Sequence, residues 1–120
     1  MKIPSFLLRR LYVKSSLIAT PQGFEFQLRN SLGSGYARSV LPLKVDSQIM
    51  QKNSTSFVID GKSVNFDDVD EETPFTLGMN KTTTIKCSCD KLAVGAHTIE
   101  MSFEVAGLGV LSFSFTDAII

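Results

Sequence analysis

Two cysteines two residues apart, Cys87-Ser88-Cys89, and the chain's only histidine, His97, are the side chains here with the most chemistry in them. Thiolate and imidazole are the ligands zinc prefers. The spacing works against a metal, because structural zinc sites take thiols from C-x₂₋₄-C turns and need a second ligand pair, which this sequence does not supply. On an extended strand Cys87 and Cys89 fall on the same face as Ile85, a core position, so both read as small apolar groups. Neighbours at that spacing also make a poor disulfide. His97 is the one side chain that titrates near neutrality unperturbed, so general-base chemistry would have to use it or a shifted carboxylate. It follows the turn Leu92–Gly95, and that position predicts a ring that caps the end of the fold and bonds a loop carbonyl.

Two charged clusters extend the set of candidates. Asp67-Asp68-Val69-Asp70-Glu71-Glu72 puts five carboxylates in six residues, and oxygen-rich loops can hold calcium. The EF-hand pattern is missing, with no glycine at the sixth loop position, so a solvated acidic turn is expected, pinned by Val69 and Phe75. Arg9, Arg10, Lys14, Arg29 and Arg38, with Tyr12 and Tyr36 among them, have the mixture that binds nucleic acid. A pI near 6.6 argues against that partner. Arg10, Tyr12, Lys14, Tyr36, Arg38 and Lys44 are kept as candidates for contact with a protein. No catalytic set, cofactor site or metal site is assigned.

The elements that must position these residues are strands. Ile99, Met101, Phe103 and Val105 alternate with Thr98, Glu100, Ser102 and Glu104, and Leu111, Phe113 and Phe115 alternate with Ser112, Ser114 and Thr116. Around the glycine-bearing turn between them this is a β-hairpin with one dry face and one wet face. Leu11, Val13, Ser15 and Leu17 predict a first strand, with a short helix over Phe6–Leu11 as the alternative. Thr20-Pro21-Gln22-Gly23 reads as a turn into a strand carrying Phe24, Phe26 and Leu28. Asn30–Gly35 is a flexible connection. Tyr36–Val45 predicts a third strand in which Pro42 requires an edge or a bulge, and an edge of this kind could accept a partner strand. Asp60-Gly61 marks a type I′ hairpin turn, and Thr82–Cys89 alternates again.

Charge and length set the frame. The net charge is zero, but residues 1–53 carry eight cations and two carboxylates while the remainder carries four and ten. In a sandwich such halves interleave, and opposite charges meet across strands. The 120 residues are expected to form one domain, 1–120, large enough for its own core. Only three consecutive apolar residues precede Arg9-Arg10, too few for a signal peptide, and no stretch is long enough to span a membrane. A cytoplasmic, intact chain is expected. The sequons at Asn53 and Asn80 then carry no glycan.

Short strands divided by Gly, Asn, Asp and Pro turns predict an all-β fold, an immunoglobulin-like antiparallel sandwich of about seven strands, with a small open barrel as the alternative. The loop Leu92–Ile99 is similar to the one that enters the penultimate strand of bacterial immunoglobulin-like and fibronectin-like modules. FLLRRLYVKSSL, GFEFQLRNSLGSG, PFTLGMNKTTTIKC and LAVGAHTIEMSF together resemble a family of small, uncharacterised archaeal and bacterial proteins of similar length. Some of its members carry the label hydroxymethylglutaryl-CoA reductase. That enzyme is several times longer, and its catalytic acid, lysine and dinucleotide site have no counterpart motif here; Gly107-Leu108-Gly109 lies in a hairpin rather than between strand and helix. The resemblance implies a fold and no chemistry. The expected function is a non-enzymatic module that binds another protein or its own copy. The alternatives are a metal-binding or enzymatic domain using His97 with the acidic loop or with Cys87 and Cys89, and an anionic-ligand or nucleic-acid binder through the N-terminal basic face.

Overall fold

A computed structural model describes residues 3–33, 35–90 and 92–120. Ser34 of the connection 30–35, and Lys2 and Lys91 of the charge pattern, lie outside the described residues. In chain order, α1 (Ser5–Leu8) is followed by strands β1 (Ile18–Thr20), β2 (Gly23–Arg29), β3 (Gly35–Ala37), β4 (Ser39–Val40), β5 (Lys44–Val45) and β6 (Gln48–Ile49). The second half contributes β7 (Thr55–Ile59), β8 (Lys62–Asn65), β9 (Phe75–Leu77), β10 (Thr82–Ser88), β11 (Gly95–Val105) and β12 (Gly109–Ile119). One sheet runs β1-β2-β10-β7-β8 and the other β12-β11-β5-β6, with β4 also paired to β11. A two-stranded ribbon, β3-β9, stands apart. All named pairings are antiparallel. Both larger sheets have free edges, so the fold is an all-β sandwich and not a closed barrel. It divides its chain among more and shorter strands than the seven or so anticipated.

Period-two patterning sets what lies between the sheets. Phe24, Phe26 and Leu28 of β2, Ile85 and Cys87 of β10, and Phe57 of β7 are buried on one side. Ile99, Met101, Phe103, Leu111, Phe113 and Phe115 of the final hairpin are buried on the other. Register places Ile99 opposite Phe115, Met101 opposite Phe113 and Phe103 opposite Leu111, as the alternation requires. Eight of the nine phenylalanines are buried, which identifies the Phe-rich composition as core; Phe6 is the exception. Gly23 is dictated by packing, since a Cβ there would meet the Cys87 carbonyl oxygen at 2.2 Å.

Two turns show how local chemistry sets register. Asp60 and Gly61, both at positive φ, close the two-residue loop between β7 and β8, as their sequence predicts. Asp46 and Ser47, with φ of 50° and 72°, do the same between β5 and β6. That turn lacks the glycine that would announce it. A buried side chain, Asn30, ends β2 by donating to Gly33 O and Leu77 O and accepting from Leu32 N and Gly33 N.

Two expectations fail. No strand covers 11–17: α1 continues into a 3-10 turn, Arg9–Leu11, and Ser15 sits at φ 68°. Leu8 and Leu11, three apart, both reach the core, so helical spacing wins over the alternation read there. The hairpin itself survives, shifted forward, with Thr20 opposite Gly23. Tyr36–Val45 is not one edge strand either. It breaks into β3, which pairs with β9, and β4 and β5, which both pair with β11, and Lys44–Val45 is flanked by β11 and β6. Pro42 lies in the gap between β4 and β5, where no ladder donor is needed.

Candidate functional site

The chemistry-bearing residues are drawn into structure. Cys87 is buried, and burial pushes its thiol up to about 11 despite the Thr55 hydroxyl 3.7 Å away. Cys89 lies beyond the end of β10 and is half-buried, so the shared indoor face holds for one thiol and only in part for the other. His97 behaves as its position predicts. One ring nitrogen lies 2.7 Å from the Ala93 carbonyl oxygen and the other 2.7 Å from Asp46 Oδ2. Both partners are acceptors, so the ring satisfies both only when doubly protonated. The Ala93 carbonyl and then Asp46 accordingly raise its pKa, while the Thr98 amide and His97 lower that of Asp46.

The acidic loop is held by its own backbone. Asp70 accepts from Glu72 N and Thr73 N, Asn65 accepts from Asp67 N, and Glu71 lies 3.7 Å from Arg38. Among the described residues, no three His, Cys, Asp or Glu side chains converge to hold a metal. His97 meets neither the acidic loop nor the cysteines through its ring nitrogens.

The basic candidates do not form one face. Arg10 and Lys14 are exposed in the 3-10 turn and the turn after it. Tyr12 points inward instead, stacking on Phe115 at 3.6 Å between ring centroids and donating to Asp117 Oδ2 at 2.6 Å. Burial and that bond raise the Tyr12 pKa, and Tyr12 in turn lowers that of Asp117. Arg38 pairs with Glu104 at 3.2 Å, so charges from the two halves meet across strands as expected. Tyr36 is exposed on β3, and Lys44 lies opposite Glu100 on one side and Ile49 on the other.

The sequence reading passed over the outer edge of β12, which the N-terminal segment covers in part: α1 and the 3-10 turn after it pack against β12, and Arg9, Tyr12 and Ser15 bind it at Ser114 and Asp117. Glu104 O, Ser102 O and Thr98 O accept from Arg38, Leu41 and Asp46, so these residues turn their main chain away from β12. Their partners in the ladder are Val110, Ser112 and Thr116, whose N–H and C=O groups must then face outward. Ser114 O, on the same row, is taken by Arg9 Nε at 2.9 Å. Ala118 N, also on that row, donates to Asp117 Oδ1 at 2.8 Å, and the outward main-chain groups of Val110, Ser112 and Thr116 have no protein partner among the described residues. β12 has eleven residues, whereas the other sheet edges, β1, β6 and β8, have three, two and four. It contains no Lys, Arg or Pro, the residues that usually blunt an edge, and its one charge, Asp117, is bound to Tyr12 and the Ser15 amide.

An all-β sandwich with a long, partly covered edge strand, and with its reactive side chains used in packing, is the class of domain that fold and surface define. The family model for hydroxymethylglutaryl-CoA reductase, N-terminal domain, matches residues 7–120. The chain belongs to that family. No curated protein matches it. Among the described residues no helix is long and apolar enough to cross a membrane.

Proposed function

We propose that this chain is a non-enzymatic, cytoplasmic binding module that associates with protein by adding a partner strand to β12. The observation that carries this reading is the row of outward main-chain groups at Val110, Ser112 and Thr116, on an uncharged, proline-free stretch. An open edge of that kind templates β-augmentation, with main-chain hydrogen bonds supplying affinity. Two unpaired cysteines suit a reducing compartment. The family is described as an N-terminal domain of hydroxymethylglutaryl-CoA reductase. The rest of such a reductase is therefore the first partner to try, with a second copy of this chain as the other.

Hydrogen exchange at Val110, Ser112 and Thr116 tests the reading, with the chain at rising concentration and mixed with the reductase polypeptide. Protection in either series is expected. Ser112→Pro should abolish it while leaving the fold intact, because the amide it removes faces away from β11. Equal exchange of these amides in every mixture would dispose of the proposal.

A further inference from the structure

At the turn end of the final hairpin, where the β3-β9 ribbon meets β11 and β12, lies a pocket of about 180 Å³. Its floor is core: Ala37, Phe75, Leu77, Phe103 and Leu111 are all buried. Ile3, Val105 and Leu108, half-buried, and the exposed Tyr36 form the rim. Among the described residues, none of the lining side chains is charged, and the Tyr36 hydroxyl is the only side-chain polar group.

We infer that this pocket is a binding site for a small uncharged apolar group, of benzene size or an alkyl chain of similar bulk, with at most one polar atom at the mouth beside Tyr36. Volume and lining carry the inference. An enclosed apolar cavity of about 150 Å³ takes up benzene, and this pocket, open only at its rim, has a comparable volume and an apolar lining. Water gains nothing here, since it needs two to four polar partners and the floor has none. A nucleotide, a phosphate or a carboxylate would be desolvated against Phe75 and Phe103 with no cation among the described lining residues to meet it. Ten of the described residues line the pocket, against the roughly 20–30 that each partner contributes to a standard protein interface, which favours a small molecule over a second copy. The site is separate from the β12 edge, so either proposal can fail without the other.

Toluene, with benzoate as a charged molecule of similar size, is the probe. On titration into the full chain, the methyl resonances of Leu77 and Leu111 should shift and saturate with toluene and stay still with benzoate. The melting temperature should rise with toluene, as mass action requires for a ligand of the folded state. Leu108→Phe, which puts a ring across the mouth, should weaken toluene by about tenfold or more; Ile49→Phe, on the opposite surface, should not. Non-saturating shifts, equal response to benzoate, or shifts centred on exposed Val110 and Ile49 would overturn the assignment. So would methyl shifts that follow protein concentration without any probe, since those belong to self-association.

Discussion

His97 is the residue whose protonation the fold consults. Its two nitrogens face two acceptors, and its pKa is raised above the ordinary 6.5, chiefly by the Ala93 carbonyl and then by Asp46. A raised pKa on a cation means that the stabilisation is full below the unfolded value and lost as pH rises through the folded one. Asp46 runs the other way: its lowered pKa gives stability above the unfolded carboxylate value that is lost on acidification. The clamp between the β5-β6 turn and the loop before β11 is therefore strongest in mildly acidic solution. Melting temperature should fall as pH rises from the ordinary imidazole value of 6.5 through the raised His97 pKa, and His97→Gln should flatten that part of the profile. An unchanged slope in the variant would place the titration elsewhere. The cysteines offer a second check. With its thiol pushed up to about 11 and its surface covered, Cys87 should resist a thiol reagent at neutral pH until the protein unfolds, while half-buried Cys89 reacts first. Simultaneous rapid labelling of both would contradict the burial described for Cys87.

Strands explain what could be read in advance and what could not. Phe113→Ala in β12 removes a ring buried opposite Met101 and should cost about 3–5 kcal/mol, measured by denaturant unfolding. Gly23→Ala in β2 should also be destabilising, since its Cβ would press on the Cys87 carbonyl, a backbone atom that cannot swing aside. A wild-type midpoint for either variant would mean that the packing of that strand is wrong. The face of each residue in the last hairpin was legible, because alternation reports burial directly. Partnership was not. Whether a strand is an edge depends on which distant segment lies beside it, and nothing near Tyr36–Val45 reveals that β11 and β6 flank Lys44. The Asp46-Ser47 turn was silent for a related reason, because non-glycine residues were held at positive φ by tertiary context. The His97 contact with a loop carbonyl was legible from its place after a turn. The open edge of β12 was hidden, since the same alternation that revealed its buried face says nothing about its unpaired side.

For the whole molecule, three sheets and, among the described residues, one four-residue α-helix with short 3-10 turns predict a β-type circular dichroism spectrum with no appreciable helical minimum. Pairings such as Tyr12–Asp117 and Arg9–Ser114 join chain segments 105 residues apart. Folding dominated by such distant pairings falls in the range of about milliseconds to seconds, and stopped-flow refolding on the microsecond scale would be unexpected. Placement of the central strands has a consequence for how the chain is made. β10 lies between β2 and β7, and β11 lies between β12 and the β4 and β5 segments, so each larger sheet waits for an inner strand translated late. At about 5–20 residues per second, a ribosome releases Phe24, Phe26, Val40 and Val45 well before the strands that cover them exist. The nascent polypeptide is therefore expected to carry an apolar face bare until β11 and β12 emerge, the state in which a β-rich chain is most prone to aggregate.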